Sequence, residues 1–327
     1  MKAIVTGGCG FIGSHLVERL MKESWNVKIL DNLSRGKSEH GYAPISNVDL
    51  TDSRACHQEI RDVDVVFHLA NVVSGITWHK DHPADLCANF AINYNVIQAC
   101  AHNKIPKTLY VSSSCVYPAF IQTPTCAPYL PENSATELGA MPSGVYGWTK
   151  LTGEIMLRAH MDQYKMKAAC IRPFNVYGAR EDFSVDRGHV IPSLIRRGLN
   201  REDPFMVWGS GEQDRGFTYI DDIIDGIMLA YEMSDTGDPI NLGYPEKVKI
   251  KDLAKKVVAL AEYNPIIQFL PNMPEGDFSK GADITRAREL LGWEPKVDID
   301  EGLRRTWKWA KQHVRSTLAV AGTTVAQ

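Results

Sequence analysis

The first half of the chain alternates short apolar runs with segments of helical periodicity. Lys2 to Thr6 is typical of a buried strand, and Ser14 to Lys22 places Leu16, Val17 and Leu20 on one face of a helix. A helical pattern also spans "NFAINYNVIQACAHN", and the further strand-like runs are "NVKILD", "VDVVFHLA" and "KTLYVSSS". Strands alternating with helices predict an α/β fold, a doubly wound parallel sheet covered on both faces.

The pattern loosens after about residue 175, where prolines, glycines and short elements dominate. We therefore expect one α/β domain over residues 1–175, with later segments completing part of its sheet. A smaller, irregular α+β domain should span residues 176–313. The small, weakly patterned residues 314–327 predict a disordered tail.

Composition narrows the class of protein. Among 327 residues, 23% are charged and the net charge is −3, which predicts no basic surface for nucleic acid. Five residues precede the first "TGG", too few for a signal peptide, and no apolar run approaches membrane-spanning length. The 7 cysteines are scattered without a CxxC pair, which favours reduced thiols in a cytoplasm and no metal site.

A glycine loop follows the first predicted strand. In "TGGCGFIG", Gly7, Gly10 and Gly13 let the backbone turn sharply and approach a pyrophosphate at a helix N-terminus. Asp31 ends the second strand, where a carboxylate can accept the ribose hydroxyls and repel a 2′-phosphate. We therefore predict NAD rather than NADP, although Arg35 could also receive such a phosphate.

A tyrosine and a lysine are spaced for one helix face in "YGWTK". Tyr146 and Lys150 are four residues apart, so the ammonium is expected to lower the pKa of the phenol. Such a tyrosine can take a proton from a sugar hydroxyl while hydride leaves for nicotinamide. A surface Tyr–Lys pair is the plain alternative, which the preceding glycine loop and serine cluster disfavour.

These motifs, in this order, resemble the extended short-chain dehydrogenase/reductase family, in its nucleotide-sugar branch. The resemblance runs from residue 1 to about 312 and includes "VDLTD", "HLA", "RPFNVYG", "VWGSGEQDRGFTYIDD" and "ADITRARELLGWEP". It implies a Rossmann domain, tightly bound and recycled NAD, a nucleotide-diphosphate sugar substrate and a cytoplasmic homodimer.

The resemblance also implies roles for individual residues. Ser113, Tyr146 and Lys150 would form the redox set. The cofactor would meet Gly7, Gly10, Phe11, Ile12, Gly13, Asp31, Asn32, Ser34, Arg35, Asp49, Leu50, Leu69, Ala70, Asn89, Tyr146, Lys150 and Pro173. The substrate would meet Gly75, Ser113, Asn175, Val190, Arg215 and Lys280, although relatives often carry arginine at position 280 and an acidic residue where this chain has Gly216.

The segment "SSSCVYP" places a cysteine beside the predicted catalytic serine. It resembles the serine–cysteine segment of GDP-mannose 3,5-epimerase and GDP-fucose synthase, and "GHVIP" places His189 where the latter has its partner histidine. Oxidation at C4 of the sugar acidifies the protons on C3 and C5, so a thiolate and an imidazole suit their exchange. Cys115 could instead be a small buried residue.

Several reactions share this scaffold. Ser114 and Cys115 stand where a 4,6-dehydratase would need an Asp-Glu pair, and Asp31 disfavours an NADPH-consuming reductase. A 4-epimerase would need Ser113, Tyr146 and NAD alone and would leave Cys115 idle. We therefore predict an NAD-dependent 3- and/or 5-epimerase of a GDP-hexose-type substrate. A binding protein without turnover is disfavoured, because the Ser/Tyr/Lys set is intact.

Overall fold

A seven-stranded parallel sheet organises the N-terminal part of the molecule, in a computed structural model that describes residues 1–185 and 187–321. The strands are β1 (Lys2–Thr6), β2 (Asn26–Asp31), β3 (Ile45–Asn47), β4 (Val65–His68), β5 (Lys107–Val111), β6 (Tyr129–Leu130), β7 (Lys167–Pro173), β8 (Val176–Tyr177), β9 (Phe205–Trp208), β10 (Asp214–Arg215), β11 (Thr218–Tyr219), β12 (Thr236–Leu242), β13 (Val248–Lys249), β14 (Ile267–Leu270) and β15 (Ser279–Ala282). The order across the large sheet is β12-β7-β5-β4-β1-β2-β3.

Helices connect these strands and cover both faces of the sheet. They are α1 (Phe11–Lys22), α2 (Ser53–Glu59), α3 (Ile76–Asp81), α4 (Ala88–His102), α5 (Gly144–Tyr164), α6 (Val190–Leu199), α7 (Ile220–Met233), α8 (Ile250–Leu260), α9 (Thr285–Leu291) and α10 (Ile299–Ala321). Short 3-10 turns occur at Ser38–His40, Asp85–Cys87, Ser114–Val116, Ala119–Ile121 and Glu132–Ala135.

Alternating strand residues build two core layers. Val5 and Phe67 pack on the side that includes Leu16 of α1, whereas Ile4 and Val66 pack on the side of α2 and α4. Successive side chains of a strand point to opposite faces, so a central parallel strand must be apolar on both. The predicted Rossmann-type doubly wound sheet is confirmed.

The strand order places a crevice at the carboxyl ends of β1 and β4. From β1 the chain runs outward through β2 and β3, and then crosses to β4 on the other side. Open α/β sheets bind ligands where the order reverses in this way. The glycine loop follows β1 at this position, so the sequence motif and the topology agree on one site.

A second region of small sheets and helices lies beyond β7. Its four-stranded sheet has the order β13-β10-β15-β6, with two further pairs, β11-β8 and β14-β9. Strand pairing crosses the predicted boundary at residue 175 in both directions, since β12 completes the large sheet and β6 joins the small one. The two predicted domains are therefore interleaved along the chain.

The C-terminal segment differs from its prediction. Helix α10 runs to Ala321, so residues 314–321, predicted as part of a disordered tail, are helical. In the first half of this helix, Leu303 and Ala310 are buried in the core and hold the helix in place. Adding further residues to an existing helix costs little free energy, so the helix continues beyond residue 314. Residues 322–327 lie outside the described residues. Among the described helices, none has the length and apolar character needed to traverse a bilayer.

Candidate active site

Two glycines of the loop after β1, Gly7 and Gly13, have no room for a side chain. A Cβ on Gly7, whose φ is +70°, would lie 2.9 Å from Ala70 Cα, and one on Gly13 would lie 2.1 Å from the Gly7 carbonyl oxygen. Gly10 is the N-cap residue of α1, and it provides no side chain to cap the helix. The first N–H groups of the helix are thus left for an anion, and the backbone is free to approach it. This arrangement fits the pyrophosphate of a dinucleotide.

Asp31 lies at the end of β2 beside this loop. Its carboxylate accepts hydrogen bonds from the backbone N–H of Cys9 at 3.0 Å and of Leu33 at 2.9 Å, which hold it at the crevice. Arg35 does not stand free to receive a phosphate, because its guanidinium bonds the Val73 carbonyl and pairs with Asp182 at 3.2 Å. The surroundings of Asp31 therefore favour NAD over NADP.

Other predicted cofactor residues surround the same crevice or support it. The Thr6 hydroxyl accepts from the N–H groups of Leu69 and Ala70, each at 3.1 Å, and so fixes the chain after β4. Asn89 is fully buried. Its side-chain oxygen accepts a hydrogen bond from the Val72 N–H, and its side-chain nitrogen donates one to the Val72 carbonyl. Asn89 thus supports this turn. Phe11 and Ile12 begin α1, Asn32 and Ser34 follow β2, Asp49 and Leu50 follow β3, and Pro173 ends β7.

The predicted redox residues come together at the end of β5. The Ser113 and Tyr146 side chains are hydrogen-bonded. The Lys150 ammonium lies 5.8 Å from the centroid of the Tyr146 ring and donates to the Val111 carbonyl at 2.6 Å. Burial lowers the pKa of Lys150 to about 7. Ser113, Tyr146 and Lys150 therefore form one cluster, as the sequence predicted.

The predicted lowering of the Tyr146 pKa is wrong for the protein alone. Desolvation of the hydroxyl, together with nearby Cys115, raises this pKa above its usual value, although Ser113 and Arg35 oppose the change. Lys150 is buried and turned toward a backbone carbonyl, so its charge does not outweigh desolvation. A base role for Tyr146 needs further positive charge at the site.

A buried ion pair anchors the serine cluster. Ser112 donates to Glu154, which lies one helical turn after Lys150 and pairs with Arg172 at 2.7 Å. The side chains of Glu154 and Arg172 are 9% and 3% exposed, so they tie β7 and α5 together inside the core. Removing one partner of such a pair leaves a buried charge uncompensated. This network fixes the end of β5 against the helix of Tyr146.

Cys115 follows the redox serine in a 3-10 turn. Its N–H donates to the Ser113 hydroxyl at 3.1 Å, and the thiol is partly buried. Cys115 lies close enough to Tyr146 and Arg215 to exert an electrostatic effect on both. The cysteine therefore belongs to the same crevice as the redox residues, which a purely structural cysteine in the core would not.

His189 lies immediately before α6 and close to His79 of α3. Its Nδ1 is 2.8 Å from Oε1 of Glu181, whose side chain is 3% exposed, whereas the histidine side chain is 48% exposed. The backbone of His189 is extended and its side chain does not cap the helix. Its imidazole is therefore held by Glu181 and open to solvent.

A second imidazole, His79 of α3, lies between these groups. Its ring centroid is 5.4 Å from that of Tyr146, and its Nε2 accepts from the Ser74 N–H at 3.0 Å. Burial, together with nearby His189 and Arg35, lowers the pKa of His79 to about 4. His79 is therefore neutral at pH 7, with its proton on Nδ1.

Basic side chains gather where β10 and β15 lie side by side. Arg215 donates to the carbonyls of Asp214 at 2.7 Å and Phe278 at 3.0 Å, and Lys280 pairs with Asp277 at 2.8 Å. Burial would raise the pKa of Asp277, but Lys280, Ser143 and Arg215 outweigh it and hold this pKa below its usual value. The cluster keeps the partly buried guanidinium of Arg215 close to Cys115 and the buried ammonium of Lys280 beside Asp277.

The remaining predicted substrate residues lie around the crevice. Asn175 donates to the Gly216 carbonyl at 3.1 Å, next to Arg215. A Cβ on Gly75 would lie 3.1 Å from the Gly188 carbonyl oxygen, so the turn before α3 packs closely on the chain that leads to His189 and Val190. These contacts bring the loop after β4 and the start of α6 to one place.

Sequence reasoning missed Glu181, His79 and Asp277. His79 and His189 stand far apart in sequence; His79 lies on the short helix α3, whereas His189 follows an irregular segment without periodic pattern. A weak signal existed for Glu181, which precedes His189 by eight residues in the same irregular segment. Its burial and its hydrogen bond follow from the path of that segment, which local patterns do not encode.

The chain belongs to the NAD dependent epimerase/dehydratase family, whose profile matches residues 3–243. This confirms the predicted family and, with it, NAD as the cofactor. The protein is therefore an NAD-dependent enzyme of the group that contains nucleotide-sugar epimerases and decarboxylases.

Individual relatives differ in the reaction that they catalyse. A GDP-mannose 3,5-epimerase of Arabidopsis thaliana is 31% identical over 325 residues, which cover 98% of this chain and 84% of that protein. UDP-glucuronic acid decarboxylase 4 of the same plant is 32% identical over 316 residues, covering 96% and 69%. A UDP-glucose 4-epimerase of Thermotoga maritima, solved with UDP-glucose, superposes with a TM-score of 0.86 at 30% identity, covering 97% of this chain and 100% of that one.

We expect the cofactor-free protein to bind NAD more tightly than NADP. Like charges about 4 Å apart repel by ~1–4 kcal/mol near a protein surface, so the Asp31 carboxylate should weaken NADP binding by about fivefold or more. Calorimetric titration of the protein with each dinucleotide measures this preference. Asp31→Asn keeps the shape and removes the charge, so it should narrow the difference. Equal or tighter binding of NADP by the wild type would show that Asp31 does not select the cofactor.

Proposed function

We propose that this enzyme inverts C3 and/or C5 of a nucleotide-diphosphate hexose of the GDP-mannose type, through a transient 4-keto sugar. The observation that carries the proposal is the position of Cys115, which shares the crevice with Ser113 and Tyr146. A 4-epimerase would have no use for an acid–base thiol at that place. The similarity to a GDP-mannose 3,5-epimerase supports the same choice.

The redox part of the reaction uses the cluster at the end of β5. NAD, when bound, would supply reversible hydride transfer at C4, so that no net oxidation would occur. Ser113 holds the C4 hydroxyl, and Tyr146 takes its proton. The raised pKa of Tyr146 in the protein alone opposes this step. Lys150 and the positive charge of oxidised nicotinamide both favour the phenolate.

Proton exchange at carbon uses the two sides of the crevice. A C4 ketone acidifies the neighbouring C–H groups, and inversion requires removal of a proton from one face and its return to the other. Cys115 lies on the side of β5 and His189 on the side of α6, so they can serve as the base and the acid. After exchange, Tyr146 returns its proton to the oxygen on C4 as the hydride comes back.

The basic cluster is suited to the diphosphate. Arg215 is a partly buried cation close to Cys115, Lys280 is a buried cation on the neighbouring strand, and Asn175 lies next to Arg215. Guanidinium and ammonium groups bind phosphate oxygens through charge-assisted hydrogen bonds. We assign the diphosphate to these three residues, and the sugar to Ser113 together with the close contact of Gly75 and the start of α6 at Val190.

A 4-epimerase is the second candidate. It needs only Ser113, Tyr146, Lys150 and NAD, and the superposition on a UDP-glucose 4-epimerase supports it. A reductase resembling GDP-fucose synthase would also use Cys115 and His189, but it would consume NADPH, which Asp31 disfavours. These reactions differ in product, so a product assay separates them.

A substrate panel tests the proposal directly. The protein with its bound cofactor is incubated with GDP-, UDP-, ADP- and CDP-linked hexoses and hexuronic acids, and the products are identified by NMR. We expect a GDP-hexose to be converted to its C3 and/or C5 epimer without net change in the cofactor. Conversion limited to C4, loss of carbon dioxide from a hexuronic acid to leave a nucleotide-linked pentose, or no turnover at all would each contradict the proposal.

We also propose a cytoplasmic homodimer. The outer faces of α4 and α5 expose large apolar side chains, with Tyr94 at 43%, Trp148 at 43% and Ile155 at 61% exposure. Trp148 and Ile155 are seven residues apart and share one face of α5. A second copy of the chain would cover them, which light scattering of the purified protein tests. Seven cysteines without a predicted disulfide support a reducing compartment.

A further inference from the structure

Glu181 is buried beside the exposed imidazole of His189. The two residues belong to the irregular segment between β8 and α6, and the distance from Nδ1 of His189 to Oε1 of Glu181 is 2.8 Å. No family motif of the sequence includes Glu181. Its side chain is 3% exposed, so the carboxyl group lies inside the protein while the imidazole reaches out of it.

The hydrogen bond determines which nitrogen of His189 is available. An ionised carboxylate only accepts, so Nδ1 of the imidazole carries the proton that is donated to Glu181. The other nitrogen, Nε2, is then unprotonated in the neutral ring and can accept a proton. This orientation resembles the one by which the aspartate of the Ser-His-Asp triad holds its histidine.

The burial of the Glu181 carboxylate carries a free-energy cost of desolvation. Its second oxygen, Oε2, is buried and has no hydrogen-bond partner among the residues that the structure describes. Burial raises the pKa of Glu181, whereas the hydrogen bond to His189 and the nearby charge of Arg35 lower it. Buried carboxylates with an unpartnered oxygen are rare because desolvation is expensive. A packing role alone would be filled better by an apolar side chain.

The other charged groups around the pair are already engaged. Arg35, in the loop after β2, pairs with Asp182 at 3.2 Å and bonds the Val73 carbonyl. His79 of α3, which is close to His189, is neutral at pH 7 because burial lowers its pKa to about 4. Glu181 is thus the carboxylate that is hydrogen-bonded to His189 among the residues that the structure describes.

We infer that Glu181 is the positioning residue of His189, holding Nε2 toward the sugar and stabilising the imidazolium that forms during proton exchange. This inference rests on the proposed function. A proton passes between the sugar carbon and Nε2, the Nδ1 proton stays in place, and Glu181 keeps its negative charge. Glu181 itself touches neither sugar nor cofactor.

Glu181→Gln tests this role in the enzyme with its bound cofactor. The amide can donate to Nδ1 and so select the tautomer whose Nε2 is already protonated. Because loss of general acid–base catalysis typically costs ~10²–10⁴-fold, we expect solvent deuterium exchange at C3 or C5 to slow by about that factor. The rate of hydride transfer from C4 should stay near that of the wild type, because Ser113 and Tyr146, which would carry this step, are different residues from the pair of Glu181 and His189. The absorbance of reduced nicotinamide measures this rate.

Two further variants complete the test. Glu202→Gln removes a carboxylate near the other end of α6, where Glu202 pairs with Arg197 at 3.1 Å, and should leave both rates unchanged. If Glu181→Gln does not fold, Glu181→Asp retains the charge with a shorter reach. It should slow deuterium exchange more than hydride transfer, and an equal loss of both rates would overturn the positioning role.

The result for His189→Asn separates this inference from the function on which it rests. Exchange lost in His189→Asn but normal in Glu181→Gln would overturn the role of Glu181 and leave the proposed function standing. Exchange at the wild-type rate in His189→Asn would instead contradict the proposed role of His189, and the role of Glu181 with it.

Discussion

Replacing Tyr146 by phenylalanine should slow turnover by ~10²–10⁴-fold, the usual cost of losing a general base. The substitution removes the hydroxyl that would take the C4 proton and keeps the ring that packs on His79. Steady-state assays with the substrate found by the panel measure the loss. NAD binding should be unchanged, because the glycine loop and Asp31 lie elsewhere in the crevice.

Tyr164→Phe is the matched control for this variant. Tyr164 lies near the end of the same helix, and its hydroxyl contacts only His102 at the surface among the described residues. It should lose no activity. Near-normal turnover of Tyr146→Phe would contradict the proposed role of Tyr146 as the base of the redox step, even though Tyr146 lies beside Ser113.

Cys115→Ala should separate the two halves of the reaction. Hydride transfer to the cofactor should persist, since Ser113, Tyr146 and Lys150 remain. Exchange of carbon-bound protons should fall by ~10²–10⁴-fold, because the proposed acid–base thiol is gone. The two readouts are the absorbance of reduced nicotinamide and deuterium incorporation at C3 and C5 in deuterated water.

Cys126→Ala is the corresponding control. Cys126 is an exposed free thiol in the segment that follows the 3-10 turns, away from Ser113, and its loss should change neither readout. Proton exchange at the wild-type rate in Cys115→Ala would make Cys115 a packing residue. The similarity to 4-epimerases would then describe the chemistry better.

Much of the Rossmann half follows from local patterns. The glycine loop, the carboxylate at Asp31 and the four-residue spacing of Tyr146 and Lys150 are each contained in one strand, turn or helix, and the structure places all of them at one crevice. Their positions follow because the carboxyl ends of parallel strands meet at the same edge of a sheet. The pKa of Tyr146 could not be predicted, since desolvation depends on packing from several segments.

The irregular half was less predictable. Strand β12 returns to the large sheet from far along the chain, and β6 joins the small sheet, pairings that no local pattern announces. Glu181 lies in an irregular segment and His79 on the short helix α3, and the positions of both depend on contacts such as that of Gly75 with Gly188. Helix α10 continues past residue 314 because buried residues in its first half already hold the helix in place.

The central claim is that Cys115 and His189 exchange carbon-bound protons of a 4-keto sugar. Turnover of the wild-type enzyme in deuterated water, on the substrate identified by the panel, tests it most directly. NMR of the recovered sugar should show deuterium at C3, at C5 or at both, with C4 retaining its original hydrogen. Complete conversion of substrate with no deuterium at either carbon would contradict the claim and identify a simple 4-epimerase.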